Sequence, residues 1–305
     1  MAILFDDFKS WKRHCQTEKL PLFRPVLEYE QEQKGRSEAE IWEHIQKAYQ
    51  VMTEAIQTGL TEDMTSRSGM VNNGAKKVFN SPIVVLSKDF QELISRAMAA
   101  KEVNSCMGRI VAAPTAGASG ILPGILYTLQ MIHQLSNQTI YEALLVAAGV
   151  ALIIERNAGV AGAVGGCQAE TGSAAAMGAG AIVYALGGEI DQVFNAVAIA
   201  IQCTLGLVCD PVAGLVEVPC IVRNASGAAI AYSSAQIAIA SVDAVIPVDE
   251  CVQAMGEIGQ SMESKYKETA LGGLAATLTG KNIAQKVLVQ NVEILPDETS
   301  DITKA

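Results

Sequence analysis

Histidine and aromatic residues are scarce in this 305-residue chain, and an excess of positive charge is missing altogether. A net charge of -10 argues against a nucleic-acid partner, because binding a phosphate backbone needs clustered Lys and Arg. The three histidines, His14, His44 and His133, all lie outside the glycine-rich blocks, and each reads as a surface or half-buried side chain. Aromatics make up 5% of a chain that is half hydrophobic, so the apolar mass is Ala, Val, Ile and Leu beside 26 Gly. That profile suits close-packed helices with small-residue interfaces. Neither the P-loop spacing nor the dinucleotide fingerprint is present, so no phosphate cofactor is implied.

Long charge-free runs are few. Asn224 to Val242 has 19 residues without a formal charge, close to the ~20 of a membrane span. It carries Ser226, Ser233, Ser234, Gln236 and Ser241, and its neighbours 143–154 and 193–208 are shorter still. Buried core helices are therefore expected, and no membrane. The start, MAILFDDFKSWKRHCQ, reaches Asp6 and Asp7 after a very short apolar stretch and lacks the h-region of a secretory signal, which points to the cytoplasm. Seven widely and irregularly spaced cysteines do not form the framework of a secreted disulfide protein.

The order of elements follows from periodicity and punctuation. Residues 1–36, interrupted by Pro21 and Pro25, read as a docking arm or short helices. Ser37 and Glu40 form a capping box, and Ile41, Ile45, Ala48, Met52 and Ile56 then recur at helical spacing up to Gly59. A dense polar loop follows, with Thr65, Ser66, Ser68, Gly69, Asn72, Asn73 and Gly74 leading to Lys76 and Lys77. It is either a surface turn or a gathering of donors for a small carboxylate. A helix over 87–100 is expected next. The loop AAPTAGASGILPG, residues 112–124, then feeds a helix over 125–135, whose positive end suits an anion. Thr139 with Glu142, Asp191 and Asp249 are further candidate helix starts, while 83–86 and 287–289 are the few strand-like runs. The acidic end, 294–305, is expected to fray. The fold class predicted is all-α: a compact bundle of small-residue-rich buried helices with glycine-rich loops lining a site.

Any one cysteine is by default a small buried hydrophobe, and Cys15, Cys106, Cys203 and Cys251 read that way. Three differ in their surroundings. Cys167 follows Gly165 and Gly166, where backbone can approach an inorganic core, and Cys209 and Cys220 bracket a loop with Pro211, Gly214 and Pro219. Cys203 and Cys209 would project about 240° apart on one helix, so the two do not share a metal. The spacing lacks the tight pairs of zinc fingers and ferredoxins, and by itself leaves open whether these are metal ligands or core residues. Three thiolates on a four-iron cluster would leave one iron open as a Lewis acid able to polarise a hydroxyl.

The blocks TSRSGMVNNGAKKV, AAPTAGASGILPG, GAVGGCQAETGSAAAMGAG, LVCDPVAGLVEVPCIVRNA and SVDAVIPVDECVQAMGEIG resemble the α chain of the bacterial iron-sulfur L-serine dehydratases. The resemblance spans roughly residues 60 to 280. It implies a [4Fe-4S] cluster on Cys167, Cys209 and Cys220 and deamination of L-serine to pyruvate and ammonia without pyridoxal phosphate. Matched residue by residue, it implies Lys77 and Ser68 as catalytic candidates and Ser66, Asn72, Thr115, Gly117 and Ser119 as substrate contacts. Glu170 is a candidate for catalysis or for capping the helix after Cys167. Single-chain members end in a cysteine-bearing tail, whereas residues 282–305 here contain no cysteine. The chain thus resembles the α half of a two-chain enzyme, whose β chain would bring a catalytic histidine if one is used. The expected organisation is an N-terminal arm (1–36), a helical catalytic iron-sulfur domain (37–285) and a tail (286–305). Rival readings are a pyridoxal phosphate dehydratase with Lys76 or Lys77 as Schiff base, and a helical membrane or interaction protein with incidental cysteines.

Overall fold

The centre of the molecule is a helix made almost entirely of small residues. The structure, a computed structural model, describes residues 5–292, with side chains through residue 289. In α9, Ser173–Ala185, every residue but Tyr184 is buried, the pattern of a helix enclosed on all sides. Around it pack α6 (Ile121–His133), α7 (Asn137–Asn157), α10 (Ile190–Gln202) and α11 (Cys220–Ile239). Ala and Gly along α9 let these neighbours come close: a Cβ on Gly178 would stand 2.3 Å from Ile125 Cδ1. Interior glycine costs about 1 kcal/mol of helix propensity, which the tight packing of four neighbours offsets.

The remaining helices enclose this centre. They are α1 (Phe8–Glu18), α2 (Arg24–Lys34), α3 (Glu38–Thr61), α4 (Gly74–Phe79), α5 (Lys88–Ser105), the single turn α8 (Gly162–Gly165), α12 (Val248–Ser261) and α13 (Leu278–Val292). The all-α fold class holds: among the described residues there are only two isolated β-bridges, Thr65 with Asn72 and Cys209 with Lys267. The strand-like run Ile83–Leu86 is exposed loop, and residues 287–289 lie within α13, because neither has a partner strand to pair with. The expectation of a fraying tail over 294–305 lies outside the described residues.

Several helix starts differ from those read in the sequence. The Ser37–Glu40 capping box is present on α3. α7, however, starts from Ser136, which accepts from the Thr139 amide, and α10 starts from Glu189 with Gln192. α10 ends at Gln202, short of the expected 208. Asp191 instead pairs with Lys12, and Asp249 accepts from the Phe8 and Lys9 amides, so it caps α1 from across the fold. α6 begins at Ile121 and takes in Pro123 and Gly124, since proline in a first turn forfeits no hydrogen bond. Pro25 opens α2 for the same reason.

The N-terminal segment is docked rather than extended. Trp11 is fully buried against Phe5, Phe8 and Phe194, and its indole N–H donates to the Leu22 carbonyl at 3.0 Å. By length and composition one helix among the described residues, α7, could cross a membrane, and half of its most apolar window is buried inside the protein. In α11, the charge-free run suspected as a span, Asn224 is fully buried and hydrogen-bonded.

Candidate functional site

Three stretches far apart in sequence bring Cys167, Cys209 and Cys220 into one buried region, with each residue 3–6% exposed. Cys167 follows Gly166, whose φ of +76° puts the chain in a conformation that side-chain-bearing residues rarely adopt. It leads into a π-helical turn, Gln168–Gly172, and its sulfur lies 3.1 Å from Thr171 Oγ1. π-Turns inside helices recur at functional sites. The Gln168 side chain accepts from the Gly206 amide and donates to the Met255 carbonyl, fastening this turn to the segment before Cys209 and to α12. Cys209 is held by its backbone, donating to Tyr266 O and accepting from the Glu268 amide, both at 2.8 Å. Cys220 is the first residue of α11, as its surroundings in the sequence suggest.

Burial raises the pKa of all three thiols, and the charge each would carry raises its neighbours further; Cys220 is pushed up to about 12. A cation is already close by. Arg223, one turn beyond Cys220, donates to Val208 O at 2.8 Å, pairs with Asp210 at 2.8 Å and also faces Cys167. Asp210 reaches on to the Leu274 amide at 2.7 Å. One guanidinium thus touches or neighbours all three cysteine segments. Among the described residues, no three His, Cys, Asp or Glu side chains converge as ligands of a single ion would.

The loop at 112–120 closes over this region. Asn224 donates to Gly117 O and accepts from the Gly120 amide, both at 2.8 Å, which staples the loop to α11. Glu170 does not cap the helix after Cys167. Its buried carboxyl accepts from Thr115 Oγ1 at 2.6 Å and lies 3.9 Å from the Cys209 sulfur. Burial raises its pKa. A Cβ on Gly162 would fall 2.7 Å from Glu170 Oε2 and 3.2 Å from Cys209 Sγ, and one on Gly117 would fall 2.8 Å from Glu170 Oε1. These glycines keep room around the carboxyl and sulfur. Ser119 is buried nearby in the chain, and its hydroxyl has no partner.

The polar loop before α4 assembles differently. Ser66 and Ser68 both donate to Glu217 Oε2, at 2.7 and 2.6 Å, so their hydroxyls serve a carboxylate of the protein itself. Asn72 and Lys77 line a separate cavity of 270 Å³ together with Glu102 and Glu217. Lys76 pairs with Asp63. The candidate residues therefore fall into two groups: Thr115 and Gly117 beside the cysteines, and Ser66, Ser68, Asn72 and Lys77 around Glu217, three residues before Cys220. His44 and His133 are exposed, and His14 lies near Glu28, so none of the histidines is in either group.

Lys101 was not legible as a functional residue. It is fully buried on α5 and donates to Val216 O at 2.6 Å, Asn104 Oδ1 at 2.8 Å and Ser105 Oγ at 3.1 Å. Burial brings its pKa down to about 8, opposed by the charges of Cys220, Glu217 and Glu170. Its signal in the sequence is one lysine among small residues in a helix, with nothing to mark it. Glu217, Arg223 and Asp210 were missed likewise, since their partners are remote in sequence.

Fold and site together define an all-helical protein built around a buried trio of thiols, with an arginine and a carboxyl at their edge and glycine loops closing over them. The chain belongs to the family described as serine dehydratase alpha chain, whose model matches residues 17–275. It is 40% identical over 277 residues to the L-serine dehydratase alpha chain of Peptoniphilus asaccharolyticus, covering 90% of this chain and 95% of that one. To the probable L-serine dehydratase alpha chain of Latilactobacillus sakei it is 47% identical over 203 residues, 67% of this chain and 97% of the relative. To L-serine dehydratase 2 of Escherichia coli K12 the identity is 34%, over 87% of this chain but 60% of that longer one.

Proposed function

We propose that the chain is the α subunit of a two-chain lyase of the cytoplasm that deaminates L-serine to pyruvate and ammonia, with a [4Fe-4S] cluster held by Cys167, Cys209 and Cys220. The observation that carries this reading is the burial of these three thiols, from three loops, beside Arg223 and Glu170. The donor set suits the cluster: thiolates are its usual protein ligands, and a cubane takes one ligand at each corner, so its ligands need not converge on a point as those of one ion do. Gly162 and Gly166 leave space where side chains would intrude. When bound, a cluster with three protein ligands supplies an open iron that acts as a Lewis acid toward a hydroxyl.

The chain's own residues supply the surroundings. Arg223 offsets the negative charge of the thiolates and ties Val208 and Asp210, either side of Cys209, to the helix that bears Cys220. Glu170 holds Thr115 at the edge of the site, and Asn224 fixes the backbone of the same loop. Lys101 secures Val216, next to Glu217, and so sets the approach to Cys220. Removal of the α-proton requires a base, and with no histidine in the site we assign that role to the β chain.

The test is anaerobic co-expression with a β chain, iron and sulfide determination, and a pyruvate assay beside a Cys167→Ala control. We expect a brown, active complex from the parent chain and loss of both colour and activity in the variant. A variant that keeps full iron and turnover would sink the assignment.

A further inference from the structure

The cavity beside α4 carries an inference of its own. Its floor is acidic. Glu102 is 2% exposed; its Oε1 accepts from the Ala75 amide at 3.1 Å, while its Oε2 is buried with no hydrogen-bond partner. Glu217, the second floor carboxylate, is 6% exposed and takes the hydroxyls of Ser66 and Ser68. The rim is the opposite: Lys77 and Asn72 are both exposed, and the Lys77 charge acts on Glu102 across the opening. Between floor and rim the wall is apolar, with Val71, Met98 and Ile221.

A buried carboxylate oxygen without a donor is costly, and no protein group supplies one here. A guest bearing several N–H donors and a positive charge would satisfy it. The rim selects for more than an amine, because an ammonium and an amide stand where a guest's anionic end would emerge. A volume of 270 Å³ admits a small zwitterion and excludes a nucleotide. We propose that this cavity binds a small α-amino acid, Glu102 accepting from its ammonium and Lys77 and Asn72 donating to its carboxylate. The choice of L-serine as guest rests on the function proposed above; the site itself rests on the cavity.

The experiment is titration calorimetry on the full chain under anaerobic conditions with L-serine, ethanolamine, which lacks the carboxylate, and 3-hydroxypropanoate, which lacks the ammonium. Glu102→Gln should weaken L-serine and ethanolamine by about ten- to a hundredfold, the value of a charge-assisted hydrogen bond, and leave 3-hydroxypropanoate unchanged. Lys77→Met, on the exposed rim where folding is not at stake, should weaken L-serine and 3-hydroxypropanoate and spare ethanolamine. L-Serine binding unaltered in either variant would overturn the proposal, as would equal affinity of the parent chain for L-serine and 3-hydroxypropanoate. In the complex with β, a raised KM in Glu102→Gln identifies the guest as substrate, and a changed kcat or lost sigmoidicity at constant KM identifies it as an effector. Absence of pyruvate formation with the binding pattern intact would sink the lyase reading and leave the site standing.

Discussion

Replacing Arg223 by Met tests whether one cation organises the cysteine region. Asp210 has 4% of its side chain exposed, and Arg223 has 20%. Asp210 Oδ1 has no in-line hydrogen bond, so the ion pair at 2.8 Å is its principal compensation; Oδ2 keeps the Leu274 amide. Arg223→Met therefore leaves a buried carboxylate half-satisfied and also frees Val208 O. Breaking a buried pair by removing one partner costs about 3–5 kcal/mol, which is more than a hundredfold in the folding equilibrium. The assay is anaerobic urea unfolding followed by circular dichroism on the cluster-free chain, so that metal plays no part in the number. Arg223→Met with Asp210→Asn should recover much of the loss, because the second change removes the stranded charge. In reconstituted protein, the single variant should surrender iron to a chelator faster than the parent, the thiolates having lost their positive neighbour. A single variant within about 1 kcal/mol of the parent, or a double variant no better than the single, would refute the reasoning.

Gly162→Ala places a methyl 2.7 Å from Glu170 Oε2 and 3.2 Å from Cys209 Sγ, so iron and sulfide per chain should fall in anaerobic reconstitution. Gly159→Ala, at φ +80° in open space, should cost about 1 kcal/mol in urea with no change in iron; equal loading in both variants would discount the steric argument. Lys101 should leave a pH signature: its folded pKa of about 8 lies below its model value of 10.5, so the unfolded chain binds more protons between these values and stability rises with pH there. Measured as the difference between the parent and Lys101→Met, the gain across that window should be a few kcal/mol, and a flat difference would show that the lysine titrates normally.

What could be read in the sequence and what could not divide along a physical line. The period of Ile41, Ile45 and Met52 behind Ser37 reported α3 because those forces act within one helix. Glycine and proline around Cys167, Cys209 and Cys220 reported loops for the same reason, and α9 was legible from composition, since a run of Ala and Gly has no exposed face to offer. The misread starts were those where a local rule met an outside partner: Asp249 has the chemistry of an N-cap but serves α1, and Asp191 was drawn off by Lys12. The site shows this most clearly. Ser66 and Ser68 have the hydroxyls of an anion-binding loop, and what they bind in the fold is Glu217, 151 and 149 residues on. Glu102, by contrast, looks from its sequence like an ordinary solvated helix glutamate, and only the packing of α4 against α5 takes its carboxyl out of water and leaves one oxygen free. A pattern of donors in a loop therefore predicts that a carboxylate will be bound, but whether that carboxylate comes from the substrate or from the protein is decided by residues more than a hundred positions away. The substrate's own partners must then be sought among buried groups left unsatisfied, which is the criterion that singles out Glu102.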